Sequence, residues 1–169
     1  MPGLIASVIL ICLSFPNPWN IYGFGPLAWI ALIDKFQHWI YTNPNHTNAE
    51  REQTWLELFS EFQPSAVEHT GLEYYPERLW HRQLHVFEAP FYFIEYGFAQ
   101  LGALAIWKQY RENPEVAIKK FKETLQLGNL KTIPETYAAA GIRFDFSKDY
   151  VKSLAAYLRT ETERCIFDA

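Results

Sequence analysis

The apolar pattern of the sequence predicts an all-α protein, a helical bundle, and three observations carry that expectation. Apolar side chains recur at intervals of three and four in one segment after another, the spacing of a helix face. Proline and glycine divide the chain into pieces of helical length, and no run of strict alternation is long enough for a strand. Hydrophobic residues make up 49% of the 169 and aromatic ones 17%, so one domain has ample material for a core and disorder is excluded over most of the chain.

A first helix is expected from about Leu27 to Tyr41, ended by "TNPN", where Asn43-Pro44 forces a turn. In "HTNAEREQTWLELFSEF" either Thr47 or Asn48 can cap, Glu50 and Glu52 lie in the first turn, and Trp55, Leu58, Phe59 and Phe62 form an apolar face. "QPSAVEHTGLEYYPER" reads as loop, and "PERLWHRQLHVFE" as a short helix starting at Pro76. The next helix is long, with Pro90 at its first turn and its end near Arg111. "ENPEVAIKKFKETLQLGN" is amphipathic, with Pro114 early, Val116, Ile118, Phe121 and Leu125 apolar, and Gly128 as stop. "TIPETYAAAGI" gives a short helix closed by Gly141. The last helix lies in "DFSKDYVKSLAAYLRTETERCIF", capped by Ser147, with Tyr150, Leu154, Tyr157 and Leu158 facing inward.

The long helix is apolar on all sides from Pro90 to Trp107, so it must be surrounded by lipid or by other helices. Gly97, Ala99, Gly102, Ala103 and Ala105 would let neighbouring helices approach closely. Glu95 and the flanking amphipathic segments favour a core helix over a membrane span. Upstream, no charged residue appears before Asp34, and "GLIASVILICLSF", Gly3 to Phe15, has the length of a signal-peptide apolar region. No Lys or Arg precedes it, it is shorter than the roughly 20 apolar residues of a membrane helix, and Pro16, Pro18 and Pro26 interrupt the residues after it. Residues 1–27 are therefore expected to form an apolar segment apart from 28–169, and no membrane partner is expected.

A net charge of −4 argues against nucleic-acid binding, which needs clustered Lys and Arg. Cys12 and Cys165 offer neither a disulfide framework nor a zinc ribbon, and the expected compartment is the reducing cytoplasm.

Three groups of residues could carry chemistry. "HRQLHVFE" spaces His81, His85 and Glu88 by four and three, so on one helix they could bind a metal; the favoured reading is surface and packing histidines, since Pro90 disfavours helix at Ala89. His85, Tyr92 and Tyr96 form the second group, with the two tyrosines one helical turn apart. An imidazole and phenols can donate hydrogen bonds to a developing oxyanion, whereas spacing alone favours two core aromatics. Asp34 and His38 suit an ordinary helix ion pair. The sequence contains no HExxH, nucleophile elbow, dinucleotide fingerprint or Walker loop.

Long motifs add a resemblance. "IALIDKFQHWIYTNPNHTNAEREQTW", "GLEYYPERLWHRQLHVFEAPFYFIEYGFAQLGALAIWKQY" and "LQLGNLKTIPETYAAAGIRFDFS" resemble the C-terminal part of the oligoendopeptidase F family, relatives of thimet oligopeptidase, from about Ala31 onward. The resemblance implies a larger α-helical zinc metallopeptidase whose zinc is held by the histidines of HExxH and a later glutamate, all upstream of "DKFQHWIY". It implies that His85, Tyr92 and Tyr96 bind the substrate backbone and stabilise the tetrahedral intermediate. Many relatives carry a further tyrosine at the position of Ile94, which leaves open which tyrosine stabilises.

The expected function is thus the substrate-binding and oxyanion-stabilising wall of an oligopeptidase. The chain alone is expected to bind no zinc and to be inactive, an upstream chain with HExxH being the implied partner and oligopeptides the substrate. Self-association into a homo-oligomer is compatible with this. The alternative is a non-catalytic helical module that binds peptides or serves as a structural partner.

Overall fold

The computed structural model describes residues 25–62, 70–72 and 74–167. The expectations placed on Gly3–Phe15, on Cys12 and on the Cys165 side chain lie outside the described residues. Within them every regular element is helical, as predicted: α1 Gly25–Thr42, α2 Asn48–Phe62, α3 Tyr74–Arg78, a 3-10 turn Leu79–Arg82, α4 His85–Glu88, α5 Ile94–Glu112, α6 Pro114–Gln126, α7 Ile133–Ala139 and α8 Lys148–Phe167. Two compact units form, one from Gly25–Gly97 and one that contains the described residues from Phe98 on.

In the first unit, α1 ends where Asn43 turns the chain, its side-chain amide donating to the Trp39 carbonyl at 2.9 Å. Thr47, one of the two candidate caps, starts α2. The Glu50 carboxylate accepts from the Thr47 N–H at 2.7 Å and from its hydroxyl at 2.8 Å, while the Glu50 N–H donates back to Thr47 Oγ1 at 3.2 Å. This reciprocal box satisfies donors that a helix start leaves unpaired. The backbone bond, then the hydroxyl bond, hold the Glu50 carboxyl below its ordinary value.

The core of this unit is aromatic. Leu32, Ile33, Phe36, Trp55, Leu58, Phe59 and Trp80 cluster, with Trp29, Phe62, Val86 and Phe93 packed around them. Phe36 meets Trp55 edge-on at 5.0 Å between ring centroids, and Trp80 at 5.4 Å. Trp55 donates its indole N–H to the Pro76 carbonyl at 2.6 Å, which ties α2 to α3. The Asp34–His38 pair expected on α1 is present at 3.5 Å.

Two boundaries differ from the sequence expectation. Residues 76–88 form no single helix: the 3-10 turn ends at Gln83, whose backbone sits at φ −91 and ψ 89, and α4 then starts afresh. The long helix begins at Ile94, four residues after Pro90, because Ala89 is held extended before proline at φ −140 and ψ 75 and Phe91 takes a left-handed φ of 59. The Phe91 ring packs on His38 at 4.8 Å and Tyr41 at 5.2 Å.

In the second unit, Leu101, Gly102, Ala103, Leu104, Ala105 and Ile106 of α5 are all buried, which agrees with a core helix. No helix among the described residues is long and apolar enough to cross a membrane. Asn113 caps α6 by accepting from the Val116 N–H at 3.2 Å, with Pro114 in the first turn. The buried face of α6 runs through Ala117, Phe121 and Thr124, Leu125 borders a cleft beside Phe121 and Thr124, and the apolar Val116 and Ile118 are exposed. Positions 117, 121 and 124 keep helical spacing, and small side chains on that face permit close approach. α7 ends in a Schellman arrangement: Gly141 N–H donates to the Ala138 carbonyl and Ile142 N–H to the Tyr137 carbonyl, both at 3.0 Å, with Gly141 at φ 76. On α8, Leu154 and Leu158 are buried, and Glu161, also buried, holds Arg111 at 3.1 Å and Arg164 at 2.7 Å.

Tyr137 organises this unit. Its hydroxyl donates to the Phe98 carbonyl at 2.6 Å and its ring meets Phe144 edge-on at 5.1 Å. Burial, with a smaller contribution from Tyr150, pushes the Tyr137 hydroxyl from 10.0 up to about 12. The raised value binds a proton in the folded state that the unfolded chain releases near pH 10. Stability from this group is therefore intact below pH 10 and falls as pH rises toward 12, by roughly 2–3 kcal/mol when both states are ionised. Denaturant midpoints at about pH 9 and about pH 12 should show that fall, and Tyr137→Phe should flatten it.

Candidate functional site

His85, Tyr92 and Tyr96 come together in the first unit, on three different pieces of backbone. His85 opens α4, Tyr92 lies in the turn before α5, and Tyr96 is in the first turn of α5. The sequence expectation that Tyr92 and Tyr96 share one helix is corrected, because the helix starts after Tyr92. Their proximity survives through the turn. The Tyr92 ring lies parallel to the His85 imidazole, 5.8 Å between centroids and 5° between planes. Tyr96 stands perpendicular to both, at 5.6 Å from His85 and 5.8 Å from Tyr92. Phe93 closes the back of the imidazole at 5.0 Å.

The polar atoms form a chain. The Tyr96 hydroxyl lies 3.5 Å from His85 Nε2, and the Gln83 amide nitrogen 2.6 Å from His85 Nδ1. Trp29 of α1 donates its indole N–H to Gln83 Oε1 at 3.1 Å. Desolvation, then the nearby Tyr96 and Glu95 and a hydrogen bond with Tyr96, holds the Tyr92 hydroxyl above its ordinary value. Tyr92 therefore keeps its proton, and with it the capacity to donate, through neutral and mildly alkaline pH. His85 and Tyr92 line a shallow open groove with Leu84, Glu88 and Ala89. An open groove with two ring donors on one wall can take an extended chain and hydrogen-bond its carbonyls.

The metal reading of His81, His85 and Glu88 does not survive the break at Gln83. His81 sits exposed on the 3-10 turn with its ring against Trp80 at 4.1 Å and Phe87 at 6.4 Å, and no helix joins it to His85. Among the described residues no three of His, Cys, Asp and Glu gather so as to hold a metal ion. The zinc that the resemblance implies therefore finds no fitting ligand set among them.

Sequence reasoning missed Gln83 and Trp29. They stand 54 positions apart, and no periodicity connects a residue of α1 with one after the 3-10 turn. It also missed an apolar cleft of the second unit, lined by Ala99, Gly102, Ile106, Phe121, Tyr137 and Ile142 among others. That cleft offers mainly carbon to a ligand.

Comparison with known proteins decides the family. Peptidase family M3 matches residues 25–156, most of the chain. The chain belongs to peptidase family M3. The solved structure of PZ peptidase A, held with an inhibitor, is 30% identical with a TM-score of 0.73, over 81% of this chain and 24% of that one. A structure described as oligoendopeptidase F is 26% identical with a TM-score of 0.68, over 83% of this chain and 24% of that one. The chain thus spans about a quarter of the length of either. No curated protein matches. The resemblance to oligoendopeptidase F and the all-α fold are both borne out.

Proposed function

We propose that residues 28–169 of this M3 chain supply the peptide-binding and oxyanion-stabilising wall of an oligopeptidase site, with His85, Tyr92 and Tyr96 as its donors and oligopeptides as substrate. The observation that carries the reading is the convergence of those three rings, their centroids 5.6 to 5.8 Å apart, with His85 and Tyr92 lining an open groove. A carbonyl oxygen that gains negative charge during attack is stabilised by donors already aimed at it. Phenol and imidazole donors are of that type. Hydrolysis also needs an activated water, and the 169 residues contain no HExxH to provide one. The chain alone therefore binds short peptides without cleaving them, and cleavage requires HExxH from an upstream partner chain; the cytoplasm is the proposed compartment.

The test uses the 169-residue chain and a quenched fluorescent oligopeptide. Binding is expected without cleavage, unchanged by a chelator or by added zinc. Tyr96→Phe and His85→Ala should each weaken binding by about tenfold, the value of one lost hydrogen bond to a partly buried partner. Chelator-sensitive cleavage by the chain alone would sink the claim of inactivity. Unchanged affinity in both variants would return the three residues to aromatic packing.

A further inference from the structure

We propose that Gln83, held by Trp29, is a positioning residue: it fixes which ring nitrogen of His85 carries the proton and so leaves the Tyr96 hydroxyl proton free for a bound peptide carbonyl. The functional part of this rests on the reading of His85 and Tyr96 as a peptide wall, but the geometry stands without it.

The indole N–H of Trp29 can only donate. It donates to Gln83 Oε1 at 3.1 Å, so the Gln83 amide has its oxygen toward α1 and its nitrogen toward His85. That amide nitrogen, also donor-only, lies 2.6 Å from His85 Nδ1. Nδ1 must then accept, and it carries no proton. In a neutral imidazole the proton accordingly sits on Nε2, since the hydrogen bond made by one ring nitrogen sets the state of the other.

His85 Nε2 faces the Tyr96 hydroxyl at 3.5 Å, a contact at the long limit of hydrogen bonding, so the ring proton points toward the phenol oxygen without being taken up by it and can be shared with a bound carbonyl. The Tyr96 hydrogen is consequently not spent on His85. Were the tautomer reversed, Nε2 would accept from Tyr96 and hold its proton, leaving none for a peptide carbonyl. Rotating the Gln83 amide by half a turn cannot relieve this, because its NH2 would then oppose the Trp29 N–H. The backbone cooperates: the Gln83 N–H donates to the Trp80 carbonyl at 3.0 Å and the chain leaves helical geometry there, which lets side chains two residues apart meet. The same break separates His81 from His85, so the 76–88 segment trades a shared helix face for this contact.

Long-range 1H–15N correlation spectra of the chain, at a pH of about 8 where imidazole is neutral, report which nitrogen of His85 is protonated. The expected wild-type result is a bare Nδ1 and a protonated Nε2, with the major tautomer in excess by about tenfold or more. Free histidine also favours Nε2–H, so the deciding variant is Gln83→Glu. Its carboxylate still accepts from Trp29 but now also accepts at His85, and the proton should move to Nδ1. A second variant, Trp29→Phe, removes the indole donor, frees the amide to rotate and should mix the two tautomers. A proton on Nδ1 in the wild type, or on Nε2 unchanged in both variants, would overturn the proposal. These readouts need no peptide, so their failure is separate from a failure of Tyr96→Phe to weaken peptide binding.

Discussion

Trp55→Ala is expected to lower the stability of the Gly25–Gly97 unit by about 3–5 kcal/mol, the range for deleting a fully buried large aromatic. Trp55 is 0% exposed and touches the rings of Trp29, Phe36 and Phe59, at 5.8, 5.0 and 5.8 Å between centroids. Truncation leaves a cavity bounded by rigid rings, which cannot collapse as aliphatic side chains can. It also strips the Pro76 carbonyl of its donor, and an unsatisfied buried acceptor costs about 1–3 kcal/mol unless water enters. Trp55→Phe separates the two effects, since it keeps most of the apolar volume and loses the hydrogen bond. Urea denaturation read by near-ultraviolet circular dichroism checks both. A loss below about 1 kcal/mol for the alanine variant would show that this core is held elsewhere. Function should fall in parallel: His85 packs on Phe93, which packs against the same cluster, so peptide binding should be lost with the unit.

Much of the fold was legible because helix signals are local. Thr47 with Glu50, Asn113 with Pro114, and Gly141 each act within four residues of the helix end they define, and each works in the structure as its chemistry predicts. The family motifs likewise lay open in contiguous sequence. What was not legible depends on distant partners. A spacing of four and three made His81, His85 and Glu88 look like one face, but Gln83 leaves the helix to meet Trp29, which lies on α1. Tyr92 reads as helical until the left-handed Phe91 and the extended Ala89 delay the helix to Ile94. On α6 the large residues Val116 and Ile118 attract a reading by hydrophobicity, whereas the buried side is chosen by the fit of Ala117 and Thr124. The three candidate side chains therefore do come together, on a backbone that differs from the one the sequence suggested.

Gly102→Ala should destabilise the second unit by about 2–4 kcal/mol, although helix propensity alone predicts the opposite. Alanine in a helix interior is favoured over glycine by about 1 kcal/mol, mainly because glycine loses more backbone entropy on folding. At Gly102 that gain meets Tyr137. A Cβ built there would lie 2.6 Å from the Tyr137 hydroxyl oxygen and 2.9 Å from Cζ, closer than non-bonded carbon is found to any neighbour. Overpacking of this kind costs typically 1–3 kcal/mol when the neighbour can shift. Tyr137 has little room, since it is 6% exposed, donates to the Phe98 carbonyl and is braced by Phe144. Moving the ring breaks that hydrogen bond and strands a buried hydroxyl, a further 1–3 kcal/mol or so. The clash outweighs the propensity. Because Tyr137 is the cause, Tyr137→Leu should cost stability by itself yet relieve most of the Gly102→Ala penalty in the double variant, so the two losses should not add. Chemical denaturation of the two single variants and the double variant measures that coupling. Additive losses would mean that the Cβ at position 102 strains something other than the Tyr137 ring, and a stabilised Gly102→Ala would mean that the helix and the ring do not approach this closely in solution.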